Sequence, residues 1–147
     1  MHFVIVGDGP LKADLVKKRD SLGLTDRVHM PGLETEVRPY LAAFDIYMMS
    51  SVFEGLPIAL LEAMSMQCAV ITTDAGGIKE VISNNVNGLP CRVDEPEKLV
   101  VYACSLLHDH RLRAKYGDAA RQSVLETFNM DKMVEKIEGL YAEVIDK

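Results

Sequence analysis

From His2 to Leu107 the chain alternates short apolar runs with longer segments of helical spacing, and this restricts the fold more than any other feature. His2–Val6, Val28–Met30, Ile46–Met49, Ala69–Thr72 and Gly88–Cys91 read as strands, the second and last of them short. Leu11–Leu22, Val37–Phe44, Pro57–Met66, Ile78–Ser83 and Pro96–Leu107 read as helices. A strand that is apolar at every position has both faces covered, and a helix between successive strands supplies that cover while keeping the strands parallel. The pattern predicts an α/β chain: a parallel sheet of about five strands with helices on both faces.

After Cys91 the strand signal stops. Residues 93–147 read as a helical tail to the alternating part, 1–92, within one domain spanning 1–147. His110–Phe128 reads as one helix interrupted near Gly117. Asn129 reads as the N-cap of a final helix, in which Val134, Ile137, Tyr141 and Val144, with Met133 and Leu140 beside them, form one apolar stripe. Such a stripe needs a surface to cover it. No internal repeat, low-complexity tract or linker divides the chain.

At 147 residues, folding should bury about 68–70% of the unfolded surface, enough for one core without staples. The 16 Lys+Arg against 22 Asp+Glu give a net charge of −6, which argues against nucleic acid or anionic lipid as a whole-surface partner. Lys17-Lys18-Arg19 reads as the solvated face of a helix. No apolar run approaches the roughly 18–20 residues of a membrane-spanning helix. Met1–Gly7 enters a strand at once, without the features of a secretory signal. Cys68, Cys91 and Cys104 are odd in number and lack metal-site spacing, as expected of reduced thiols in a cytoplasmic protein.

The segment Ser51–Met64 concentrates the chemistry. Pro57 suits the first position of a helix, so Gly55 and Leu56 end a strand-to-helix loop where free N–H groups and the positive end of the helix dipole collect. Such a terminus favours an anion or a hydroxyl-rich ligand. Glu54 lies just ahead of it, and Glu62 falls two turns into an otherwise apolar helix, where a buried carboxylate needs a partner or a cavity. Two readings stay open on spacing alone. Either Glu62 forms a salt bridge while Glu54 is solvated, or both accept hydrogen bonds from the vicinal hydroxyls of a sugar or ribose. Val6-Gly7-Asp8-Gly9-Pro10 and Asp74-Ala75-Gly76-Gly77 are strand-to-helix turns that could also let a ligand approach the backbone. No Asp-x-Asp, H-E-x-x-H or G-x-S-x-G is present, and none of His2, His29, His108 and His110 is placed as a general base.

Phe3–Pro10, Arg27–Gly32, Asp45–Ser51 leading into Glu54-Gly55-Leu56-Pro57 and Leu61-Glu62-Ala63-Met64, then Thr73–Ile82 and Asn87-Gly88-Leu89, resemble the C-terminal domain of the group 1 (family 4) retaining glycosyltransferases. The resemblance covers nearly the whole chain. It implies a Rossmann-like domain, half of a GT-B architecture, that binds a nucleotide-diphosphate sugar carrying UDP, GDP or ADP. By that similarity Glu54 is the catalytic residue and contacts the donor sugar, while Glu62 contacts the ribose. Gly55, Leu56 and Pro57 lie near the sugar and diphosphate, and Gly7, Pro31 and Gly32 complete the donor site, with Met30-Pro31-Gly32 beside the base. Hexosyl transfer in such enzymes proceeds with retention and without a metal or other cofactor, the leaving diphosphate being stabilised electrostatically. The acceptor is a glycan, lipid or other group, as in polysaccharide biosynthesis, and the full-length enzyme is cytoplasmic or peripheral to the membrane.

Members of that family carry a further strand, a G-R…K motif and a helix ahead of the strand equivalent to Phe3–Val6. The strand is central in the family's sheet, where the ligand binds. Without it, the strands starting at Phe3 and Asp45 either pair directly or leave a gap. The expectation is a chain inactive alone that needs an N-terminal GT-B domain as partner. The alternative is a non-catalytic nucleotide- or sugar-binding fragment that self-associates through its C-terminal helix. Gln67-Cys68-Ala69 stands where the family prefers Gly-Leu-Pro, which weakens a helix C-cap.

Overall fold

The computed structural model describes residues 1–145. The chain divides into two compact units, Met1–Pro39 and Tyr40–Lys147. The first holds β1 (Phe3–Val6), α1 (Lys12–Ser21) and β2 (Val28–Gly32). The two strands pair in parallel, with Phe3 opposite Val28 and Val4 opposite His29, and the register slips before Val6 meets Gly32. β2 runs two residues past its predicted end, through Pro31. Among the described residues it pairs with β1 alone, so the missing Pro31 N–H interrupts no second ladder. Gly32 is the only buried residue in this unit. Lys17 and Lys18 are solvated as predicted, whereas Arg19 is half-buried and pairs with Asp20 at 2.8 Å.

The second unit begins within α2 (Arg38–Ala43) and continues through β3 (Ile46–Met49), α3 (Ile58–Ser65), β4 (Ala69–Thr73), α4 (Ile78–Val81), β5 (Leu89–Cys91), α5 (Glu97–His108), α6 (His110–Thr127) and α7 (Met130–Ile145). Its sheet is parallel in the order β3-β4-β5. Every residue of the central strand β4 is buried, and its side chains serve two cores in alternation. Val70 packs with Leu60 and Met64 of α3, Ile78 and Val81 of α4, and Ala120 and Val124 of α6. Ala69 and Ile71 pack with Leu89 and Cys91 of β5, Leu99, Ala103 and Leu106 of α5, and Tyr116 of α6. Helices thus cover both faces of this sheet, and a fully buried strand, apolar from Ala69 to Ile71 and ending in Thr72 and Thr73, lies between them.

All five predicted strands form, but in place of the single sheet expected they make a two-stranded sheet, β1-β2, and a three-stranded one, β3-β4-β5. α6 runs unbroken through Gly117. That glycine answers a close approach: a Cβ there would stand 2.2 Å from the Gln67 carbonyl oxygen. Gln67 ends the turn after α3 with φ +63, and its side-chain amide donates to Asp118 Oδ1 at 3.0 Å. Asn129 caps α7 as predicted, its Oδ1 accepting from Lys132 N–H at 2.9 Å. No residue of α7 is buried, and its apolar stripe faces outward from Met130 to Ile145. The three cysteines are free, Cys68 and Cys91 buried and Cys104 exposed.

Candidate functional site

The loop from β3 to α3 is built by contact with the next such loop. Thr73, buried at the end of β4, donates its hydroxyl to the Ser51 carbonyl at 2.5 Å. The Ser51 hydroxyl donates to Glu54 Oε1 at 2.7 Å. The Glu54 carbonyl accepts from Gly77 N–H at 3.2 Å. The paired glycines make this approach possible: a Cβ on Gly76 would lie 1.9 Å from the Glu54 oxygen, and one on Gly77 2.1 Å from the Gly55 oxygen. Gly76 also has φ +50, a conformation in which a side chain is strained. Gly76 and Gly77 therefore admit the backbone of the neighbouring loop. Nearby, Lys79 pairs with Asp74 at 3.4 Å.

Pro57 is the N-cap of α3, one residue ahead of its predicted place, with extended backbone (φ −76, ψ 106). The shift arises because α3's first hydrogen bonds close on Pro57: its carbonyl accepts from Leu60 and Leu61 N–H at 3.1 and 3.3 Å. Pro57 is buried, whereas Gly55, Leu56, Ile58 and Ala59 are exposed. Among the described residues no hydrogen bond uses the N–H groups of these four. Four N–H groups without a hydrogen-bond partner, at and just ahead of a helix N-terminus and directly after Glu54 in the chain, are an arrangement that attracts an anion.

Glu62 is exposed, which corrects the reasoning that placed it in a core. Leu60, Ala63 and Met64 form the buried face of α3, while Glu62 is on the opposite face. The salt bridge is absent as well: among the described residues its carboxylate has neither an ion pair nor a hydrogen bond. Ile58 and Met66, one turn before and after it, are also exposed, so the carboxylate sits within an apolar strip of helix surface. Burial, followed by the charges of Glu54 and Glu62, pushes the Tyr47 phenol on β3 up to about 12. Both carboxylates thus act on one side chain of the same unit.

The remaining predicted residues lie in the first unit. Gly7 (φ +133) donates its N–H to the Gly32 carbonyl at 2.7 Å, and Gly32 (φ +101) is buried while Pro31 is exposed. Lys12 Nζ pairs with Asp8 Oδ2 at 2.9 Å and would stand 2.9 Å from a Cβ on Gly32. The sequence reading missed Ser51, Thr73 and Lys12. Ser51 leaves a faint local trace, a hydroxyl three residues before a loop glutamate, but Thr73 leaves none because its partner is 22 residues away. Among the described residues no three His, Cys, Asp or Glu side chains gather as a metal site requires, and no helix is long and apolar enough to cross a membrane.

A family model described as "Glycosyl transferases group 1" matches residues 1–109. An N-acetyl-alpha-D-glucosaminyl L-malate synthase of Bacillus anthracis is 34% identical over 97% of this chain, which spans 38% of that relative. The C-terminal domain of a glycosyl transferase group 1 family protein (LpcC) from Francisella tularensis superposes with a TM-score of 0.80 at 26% identity, covering 88% of this chain and 70% of that one. Anabaena Alr3699/HepE, solved in complex with UDP-glucose, superposes with a TM-score of 0.87 at 23% identity, covering 97% of this chain and 41% of that one.

Proposed function

The chain belongs to the group 1 glycosyl transferases, and from that premise we propose that it is the donor-binding part of a retaining, metal-independent enzyme that moves a hexosyl group from a nucleoside diphosphate sugar. The observation carrying this reading is the β3–α3 loop, where the Glu54 carboxylate stands beside four unused N–H donors and Glu62 lies exposed and unpaired two turns further on. The diphosphate meets the N–H groups of Gly55, Leu56, Ile58 and Ala59, and the Pro57 carbonyl lies beside them. Glu54 accepts from hydroxyls of the donor sugar and Glu62 from those of the ribose.

When the bond between the sugar's anomeric carbon and the diphosphate oxygen breaks, negative charge grows on the leaving group. The helix terminus stabilises it, together with cationic groups from the rest of a GT-B enzyme. The chain spans 38% of the Bacillus anthracis relative; in this reading the acceptor contacts lie outside residues 1–147, and these residues by themselves transfer no sugar. The acceptor is a glycan, a lipid or a related group of polysaccharide biosynthesis, reached in the cytoplasm or at the membrane surface.

Calorimetric titration of the chain with UDP-glucose, GDP-mannose and ADP-glucose tests the reading, and chelator should leave binding unchanged. Glu62→Gln should weaken nucleotide binding by about 1–3 kcal/mol, the scale of a charge-assisted hydrogen bond. It should move stability by less than about 0.5 kcal/mol, because the side chain is exposed and unpaired. Unchanged affinity in Glu62→Gln would remove its ribose role, and turnover by the isolated chain would remove the need for a partner domain. The exposed stripe of α7 favours a second reading, a non-catalytic fragment that self-associates. A monomer by light scattering at high concentration would contradict it.

A further inference from the structure

We propose that Ser51 and Thr73 are positioning residues for the Glu54 carboxylate, fixing which of its oxygens receives a hydroxyl of the donor sugar. The inference rests on the reading that Glu54 faces that sugar. A loop glutamate has three rotatable bonds, and freezing them at the moment of binding costs affinity unless the protein has already done so. Here both ends of the residue are held. The Ser51 hydroxyl donates to Oε1 at 2.7 Å, leaving Oε2 and the remaining lone pairs for a ligand. Ser51 is itself held by Thr73, whose hydroxyl donates to its carbonyl at 2.5 Å from the buried end of β4. On the main-chain side Gly77 N–H donates to the Glu54 carbonyl, and Gly76 is packed against that same oxygen.

The carboxylate is therefore referred through two hydrogen bonds to the central strand of the sheet, the most completely buried element of its unit. This is what a site needs when one oxygen must meet a substrate hydroxyl at hydrogen-bond distance. Ser51 touches no donor in this arrangement and acts only through Glu54, while Thr73 acts only through Ser51. Their effect should appear in the part of the affinity that depends on the sugar and be absent from the part that depends on the nucleotide.

The experiment compares the affinity of the full chain for UDP-glucose with its affinity for UDP, and likewise GDP-mannose with GDP and ADP-glucose with ADP. Ser51→Ala should lower the ratio for the preferred pair by about 5- to 10-fold with the bare diphosphate unaffected, and Ser51→Thr should restore it. Thr73→Val should lower the ratio less, with Thr73→Ser restoring it. In a Glu54→Gln background the Ser51→Ala effect should shrink. A ratio unchanged in Ser51→Ala, or an equal loss for the sugar donor and the bare diphosphate, would overturn the inference while leaving the donor-binding reading intact. If no pair binds the wild-type chain, the donor-binding reading fails and the inference falls with it.

Discussion

The two units start from the same motif, a strand followed by a helix and a parallel strand, and they bury it to very different degrees. In Met1–Pro39 only Gly32 is buried, while Phe3, Ile5 and Leu15 are each between 44% and 45% exposed. In the second unit β4 is buried throughout, and Leu60, Met64, Ile71, Ile78 and Leu106 are at 0%. The difference is the number of layers. β4 has a strand on each side and helices over both faces, whereas the first unit's sheet has two strands, and a two-stranded sheet is marginal without further cover. Strand pattern is a local property, and the energy that rewards it depends on what else is packed against it.

The largest test of this contrast is Ile71→Ala against Val4→Ala. The first empties a fully buried site and should cost about 2–5 kcal/mol in urea unfolding. The second removes partly exposed methyls and should cost less than about 1 kcal/mol. Equal losses would break the comparison. A somewhat smaller effect separates the glycines. Gly76→Ala drives a Cβ into the Glu54 carbonyl at a positive φ and should cost about 2–4 kcal/mol. Gly9→Ala meets nothing within 4 Å and should stay within about 0.5 kcal/mol of wild type.

The smallest effect expected is in the pH dependence. Burial in the second unit pushes the Tyr47 phenol up to about 12 and the Cys68 thiol up to about 11, the nearby Asp45 adding to the latter. Raised values mean that the folded state holds these protons more tightly. Their contribution is then complete below the ordinary thiol value of 9.0 and is lost as pH rises through about 11 and 12. The melting temperature should fall over that range, and less steeply in Tyr47→Phe. The first unit contains neither tyrosine nor cysteine. Its shifted group is Asp8, held below the usual carboxylate value by the Lys12 hydrogen bond and then by Gly9 N–H. A lowered value contributes stability that is lost on acidification, so NMR signals of residues 1–39 should respond at low pH and those around Tyr47 at high pH.

Periodicity alone places the strands and most helix limits, because apolar spacing encodes which faces must leave water. The Glu54-Gly55-Leu56-Pro57 and Glu62 segment is legible because its chemistry lies within nine consecutive residues of one loop and helix. Glycine is where such reading fails. Gly117 reads as an interruption and is instead a contact with Gln67, and Gly76 and Gly77, which read as a turn, form that turn and also seat the neighbouring loop. A missing Cβ looks the same in a sequence whether it serves a turn, a ligand or another backbone.

The sequence by itself determined the α/β class, the five strands, the cap at Asn129 and the carboxylate-bearing loop, since each follows from local propensity or from residues close in the chain. Only the tertiary structure decided that the strands divide into two sheets, that Glu62 stands exposed in an apolar strip, and that Ser51 and Thr73 hold Glu54. Those outcomes depend on contacts between distant segments, and contact energies do not exist until the chain has brought the segments together.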